Sequence, residues 1–126
     1  MNSIVDIEGL AELAAVEFSG IVTETLIPNV NELRIVLSDG SFVDVWYSLA
    51  LSGRYSYRGE RQAIDGTIYR HDNAPHRRLQ IVETYPRHFH DGSEGHVSES
   101  YISIVPEEAL REFLAFARER LKTYDS

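Results

Sequence analysis

The sequence predicts an α+β fold: an N-terminal helix, an antiparallel β-meander of about five to seven strands, and a C-terminal helix packed on the sheet. Three observations carry that reading. Asp39-Gly40 lies between two β-rich runs, the pattern of a tight hairpin. Leu110, Phe113, Leu114, Ala117 and Leu121 recur at helical spacing behind Pro106. Between those two features, short β-branched and aromatic runs are cut by Gly and Asp turns.

Residues 4–16 read as the first helix, with Val5, Leu10, Leu13 and Ala14 on one stripe and Ser3 or Asp6 as cap. Gly9 works against it. From Phe18 the pattern turns to β, because Ile21, Val22, Thr23, Thr25 and Ile27 are β-branched, and Pro28-Asn29 ends the run. Leu33, Ile35 and Leu37 alternate with exposed positions, and Phe42–Tyr47 forms the return strand. A two-residue turn at Asp39-Gly40 would have both central residues at positive φ. Residues 53–59 and Thr67–Arg70 extend the meander, with a turn at Asp65-Gly66 between them. Residues 79–85 and 97–104 are weaker strand candidates. Pro106 suits a first helical turn, and Glu107 and Glu108 suit the positive end of the helix dipole. Trp46 is expected in the core, and Phe116, off the main stripe, is free to meet a partner or a second copy.

Composition sets outer limits. A chain of 126 residues, with 43% hydrophobic and 25% charged residues, reads as one domain over residues 1–126. Cysteine is absent, which excludes disulfides, thiolate zinc sites and cysteine nucleophiles. No apolar run approaches the roughly 20 residues of a membrane span. The start, Met1-Asn2-Ser3-Ile4, lacks the basic region of a secretory signal, so a cytoplasmic location is expected.

The net charge of −8 argues against indiscriminate nucleic-acid binding, but that charge is segregated. Residues 1–53 hold eight acids against Arg34 alone. Residues 54–90 hold seven Arg against four acids, a local balance of +3, and residues 91–126 return to −4. All five His fall between positions 71 and 96. Eleven of the twelve basic residues are Arg, whose planar fork suits phosphate or carboxylate.

Three segments concentrate this chemistry: Arg54-Tyr55-Ser56-Tyr57, Arg70-His71-Asp72-Asn73-Ala74-Pro75-His76, and Glu83-Thr84-Tyr85-Pro86-Arg87-His88-Phe89-His90. In these segments the chain resembles the TumE family of small toxins from prokaryotic toxin–antitoxin pairs. The hairpin Leu37–Phe42 and the Pro106-Glu107-Glu108 lead into the last helix resemble the family as well. His71 stands where the family carries Trp, and Arg77 and Arg87 stand where it carries His. Arg58-Gly59-Glu60 departs from the family's pattern too. The retained set is Arg70, Asp72, His76, His88 and His90. The resemblance implies a toxin regulated by a neighbouring helix-turn-helix antitoxin, and leaves the chemistry to be argued from the residues.

Cleaving RNA without a metal needs a base for the 2′-hydroxyl, an acid for the leaving oxygen and cations for the phosphate. His76 and His88 are the acid–base candidates, with His90 in reserve and Asp72 beside them. Arg70 and Arg87 suit phosphate, Arg54 adds charge, and Tyr55 or Tyr57 would stack a base or donate a hydrogen bond. This lead reading is metal-independent and needs no cofactor. A second reading is a metal site: His88 and His90 share a strand face, and His76 or Asp72 completes a His/carboxylate set. Arg70 pairing with Asp72, an Asx turn at Asp72-Asn73 and structural roles for His71 and His96 are the bland alternatives. Three functions follow: a toxin acting on RNA, a non-catalytic toxin or interaction module binding a host target, and a small metal-dependent enzyme. A two-layer domain of this size also commonly pairs as a homodimer through a helix or a sheet edge.

Overall fold

The computed structural model describes residues 4–125. Helix α1 (Ile7–Glu17) leads into strands β1 (Val22–Asn29), β2 (Glu32–Leu37), β3 (Phe42–Tyr47) and β4 (Tyr55–Arg61). A single helical turn, α2 (Gln62–Asp65), precedes β5 (Thr67–Asp72), and a 3₁₀ turn at Arg77–Leu79 precedes β6 (His88–Gly92) and β7 (Val97–Glu99). The chain closes with α3 (Pro106–Asp125). The seven strands lie in one sheet in sequence order, every neighbouring pair antiparallel. This is the expected α+β architecture.

Helix α1 starts at Asp6, whose carboxylate accepts the Gly9 N–H at 2.9 Å. The residue that weakened the helix prediction has a local reason here, since a Cβ at Gly9 would collide with the Asp6 carboxylate. Ser3, the other candidate cap, lies outside the described residues.

The hairpin between β2 and β3 forms, but not as a two-residue turn. Gly40 N–H donates to Leu37 O at 3.0 Å, and Gly40 is at φ +89° while Asp39 is not at positive φ. Asp39 serves through its carboxylate instead, accepting from Ser41 N–H at 2.9 Å and from Arg61 Nη1 at 2.8 Å. Arg61 is buried and Asp39 half-buried, and the pair ties the hairpin to the end of β4.

One face of the sheet is apolar. Leu33, Ile35, Leu37, Val43, Val45, Tyr55 and Tyr57 alternate inward and pack against Leu10 and Ala14 of α1 and Leu110, Phe113, Leu114, Ala117 and Leu121 of α3. Phe113 packs over inward Gly59, where a Cβ would meet the tip of its ring at an ordinary contact of 3.5 Å. Phe116 packs edge-on to Tyr69 at 5.0 Å, so it joins the rim of the core rather than standing free. Trp46 falls on the opposite face, since Val43 and Val45 take the inward positions of β3.

Residues 79–85 do not form a strand. Leu79 and Val82, three apart, are buried while Ile81 is exposed, the spacing of successive tight turns rather than of a pleat. Likewise β7 stops at Glu99: the next N–H, of Ser100, donates to Thr84 Oγ1 at 3.0 Å instead of continuing a ladder. Among the described residues, no helix is long and apolar enough to cross a membrane.

Candidate functional site

The period of two along a strand divides each chemical segment between the two faces of the sheet. On β5, His71 points to the helices while Arg70 and Asp72 point away; on β6, Phe89 points to the helices while His88 and His90 point away. The β5–β6 register then sets Arg70 opposite His90 and Asp72 opposite His88. Four residues separated by up to 20 positions become one cluster.

Arg70 is its centre. Its Nε donates to Asp72 Oδ2 at 2.8 Å, Nη1 to Glu94 Oε1 at 2.6 Å, and Nη2 approaches His90 Nε2 at 3.0 Å. His90 Nδ1 faces Glu94 O at 2.8 Å, and His88 Nδ1 faces Pro86 O at 2.8 Å. A carbonyl oxygen only accepts, so both Nδ1 atoms carry hydrogen. A neutral ring then presents a lone pair at Nε2. That of His90 accepts from Arg70. That of His88 lies 2.9 Å from Asp72 Oδ1, yet no in-line hydrogen bond forms there. Asp72 Oδ1 also accepts the Ala74 N–H at 3.0 Å, which bends the chain into the Asx turn before Pro75.

The two rings meet edge to face, with centroids 5.0 Å apart, and each residue is only 1% exposed. Asp72 is 8% exposed. Burial pushes the His90 imidazole below its ordinary pKa, and the charge of Arg70 adds to that effect. Burial works to raise the Glu94 carboxyl, but its hydrogen bond and charge interaction with Arg70 outweigh that and hold it lower than usual. The open edge of the cluster is formed by Arg70 and Glu94, whose side chains are 21% and 53% exposed.

The other predicted residues fall in distinct places. His76 is exposed in the loop after β5, capping the 3₁₀ turn through its backbone. The buried donor set within 4.8 Å of one another is Asp72, His88 and His90, with Asp72 rather than His76 as the third member. Arg54 lines an open groove with Gly53, Asn73, Pro75 and Pro86 beside the cluster. Arg87 Nε donates to Tyr55 Oη at 3.3 Å. Tyr57 is 1% exposed, hydrogen-bonded to the Tyr47 hydroxyl and packed on Phe113, which leaves it no free face for a base. His71 is stacked on Phe89 at 4.2 Å and bonded to Ser100 Oγ at 2.7 Å; burial first, then the charge of Arg87, pushes its pKa down to about 4. It is a neutral packing residue at ordinary pH. Glu94 escaped the sequence reading, although it stands four residues after His90, just past the turn at Gly92.

The family model described as Toxin TumE matches residues 10–121. The chain belongs to that family. The match takes in every strand and most of α1 and α3, and so contains the whole Arg70 cluster. A toxin role is therefore the functional frame for the site. No curated protein and no solved structure matches the chain.

Proposed function

We propose that the chain is the toxin of a toxin–antitoxin pair and acts on RNA by metal-independent His/Arg chemistry at the Arg70 cluster. One observation carries the reading: a single guanidinium joins Asp72, His90 and Glu94 while His88 abuts the same Asp72. A cation, two imidazoles and two carboxylates are the parts that phosphodiester cleavage needs. Arg70, at the open edge, meets the phosphate. His88, 2.9 Å from Asp72, is the acid, and His90, whose pKa burial depresses, is the base once Arg70 turns from its Nε2 to the phosphate. Arg54, in the adjoining groove, and Arg87, held against the Tyr55 hydroxyl, line the path of the strand. Exposed His76 is the alternative acid–base group reachable from solvent. A helix-turn-helix antitoxin holds the protein in check in the cytoplasm.

The test is to express the protein without its antitoxin and follow growth and RNA length. Wild type should arrest growth and shorten RNA, and Arg70→Ala and His88→Ala should each lower RNA cleavage by about 100-fold or more. His76→Ala decides whether the exposed His shares the work. Undiminished cleavage in both the Arg70 and His88 variants would overturn the site, and growth arrest with intact RNA would point to binding of a host target instead.

A further inference from the structure

We propose that Asp72, His88 and His90 form a binding site for a divalent transition-metal ion of the zinc class. The lone pairs of these side chains point to the ion, independently of the RNA reading. Both imidazoles donate Nδ1–H to a backbone carbonyl, at 2.8 Å each. That is the arrangement that orients metal-binding His, because it fixes the tautomer and aims Nε2 at the ion. The Nε2 of His88 is wholly buried, lacks a hydrogen-bond partner and sits 2.9 Å from a carboxylate oxygen. Two acceptors at that distance repel unless a proton or a cation lies between them.

The ligand atoms of the three residues lie within 4.8 Å of one another. A tetrahedral zinc with bonds of about 2.0–2.2 Å needs donors roughly 3.4 Å apart, so rotamer adjustments on the order of 1 Å close the set. Two imidazoles and one carboxylate are a borderline-soft donor set that favours zinc, cobalt or iron over magnesium or calcium. Three protein donors leave the fourth position open for water or a ligand oxygen.

Arg70 competes for this site. Its guanidinium takes the His90 lone pair and one Asp72 oxygen. Loading the ion therefore requires Arg70 to leave His90, while its contact to Glu94 lies at the solvent edge and does not stand in the way. The ion and an acid–base His88 use the same lone pair, so the loaded and ion-free proteins differ in the chemistry open to His88.

This competition makes the test specific. Cobalt(II) is titrated into full-length, untagged, chelator-treated protein, with visible d–d absorption as the readout and zinc as the displacing ion. Circular dichroism checks the fold of every variant. One equivalent should bind with a tetrahedral spectrum. His90→Gln and His88→Gln should weaken binding by at least about tenfold. Arg70→Ala should tighten it, because the resident cation is gone; a merely structural Arg70 would weaken it or leave it unchanged. His96→Ala, at an exposed position, should leave it unchanged. Absence of a stoichiometric cobalt spectrum in folded wild type and folded Arg70→Ala overturns the proposal, as does binding that follows His96 rather than His88. If the His88 variant fails to fold, the wild-type and Arg70→Ala titrations still decide. Neither readout involves RNA, so loss of the ion and loss of the RNA reading are separate results.

Discussion

The two faces of the β5–β6 ribbon are made of the same short segments and behave as different materials. Toward the helices, His71, Tyr69 and Phe89 form an aromatic layer with Phe113 and Phe116. Away from them, Arg70, Asp72, His88 and His90 form a polar network in which nearly every donor and acceptor is engaged. The aromatic layer is held by area and shape and tolerates any well-packed group of similar volume. The polar network is held by directed bonds, and removing one member strands the rest. The strands that carry the polar network are anchored from the opposite side by the aromatic layer.

The largest effect is expected where the anchor is deepest. Phe113 is 1% exposed and touches Tyr57, His71 and Phe116. Phe113→Ala should cost about 3–5 kcal/mol, read as a lower urea midpoint with an unchanged slope. Growth arrest should fall in step with the folded fraction. A Phe113→Ala protein as stable as wild type would break the claim that the helix face supports the site.

The alternation that builds both faces was legible in the sequence, since His88 and His90 are two apart and Phe89 lies between them. The closing helix was legible because one stripe, Leu110 to Leu121, satisfies the helical period without conflict. What could not be read was the register. Asp72 meets His88 only because β5 and β6 pair antiparallel at that offset, and pairing across a 15-residue connection is a tertiary outcome. Residues 79–85 misled for a related reason. Leu79, Ile81 and Val82 have strand-like composition, but Thr84 spends its hydroxyl on the Arg87 carbonyl, at 2.5 Å, and on the Ser100 N–H, which folds the segment into turns. Glu94 was overlooked because an exposed acid in a turn is ordinary until a guanidinium arrives from 24 residues away.

A middle-sized effect separates the faces by pH. Burial is the leading cause that raises the Tyr47 hydroxyl to about 12, and burial raises Tyr57, to which it is bonded, as well. A raised folded-state pKa favours the neutral form, so this contribution is complete below the unfolded value near pH 10 and is lost as pH rises through about 12. Tyrosinate absorbance should show a delayed class, with Tyr47 and Tyr57 in it, that appears with loss of near-ultraviolet circular dichroism. Tyr47→Phe should remove one member of the delayed class. Titration of all seven tyrosines in one step near pH 10, with the fold intact, would show that the helix face is wetter than its packing implies.

The smallest effect lies on the polar face, in the same cross-strand row as Arg70 but two and three strands away, and it tests whether polarity alone makes that face sensitive. Arg34 and Asp44 are cross-strand partners joined by two hydrogen bonds, at 2.8 and 2.9 Å, and Arg34 also lies 4.0 Å over the Phe42 ring. Its Nε contact is as short as that of Arg70 with Asp72, 2.8 Å in both, but the side chains are 44% and 36% exposed against 21% and 11%. Water screens the open pair and replaces its bonds when they are lost, so Arg34→Ala should cost only about 0.5–1 kcal/mol, less in high salt, and leave growth arrest untouched. A loss above about 2 kcal/mol would mean that the whole polar face is one coupled network rather than a buried cluster with a solvated margin. The comparison of faces would then have to be redrawn as one between two cores.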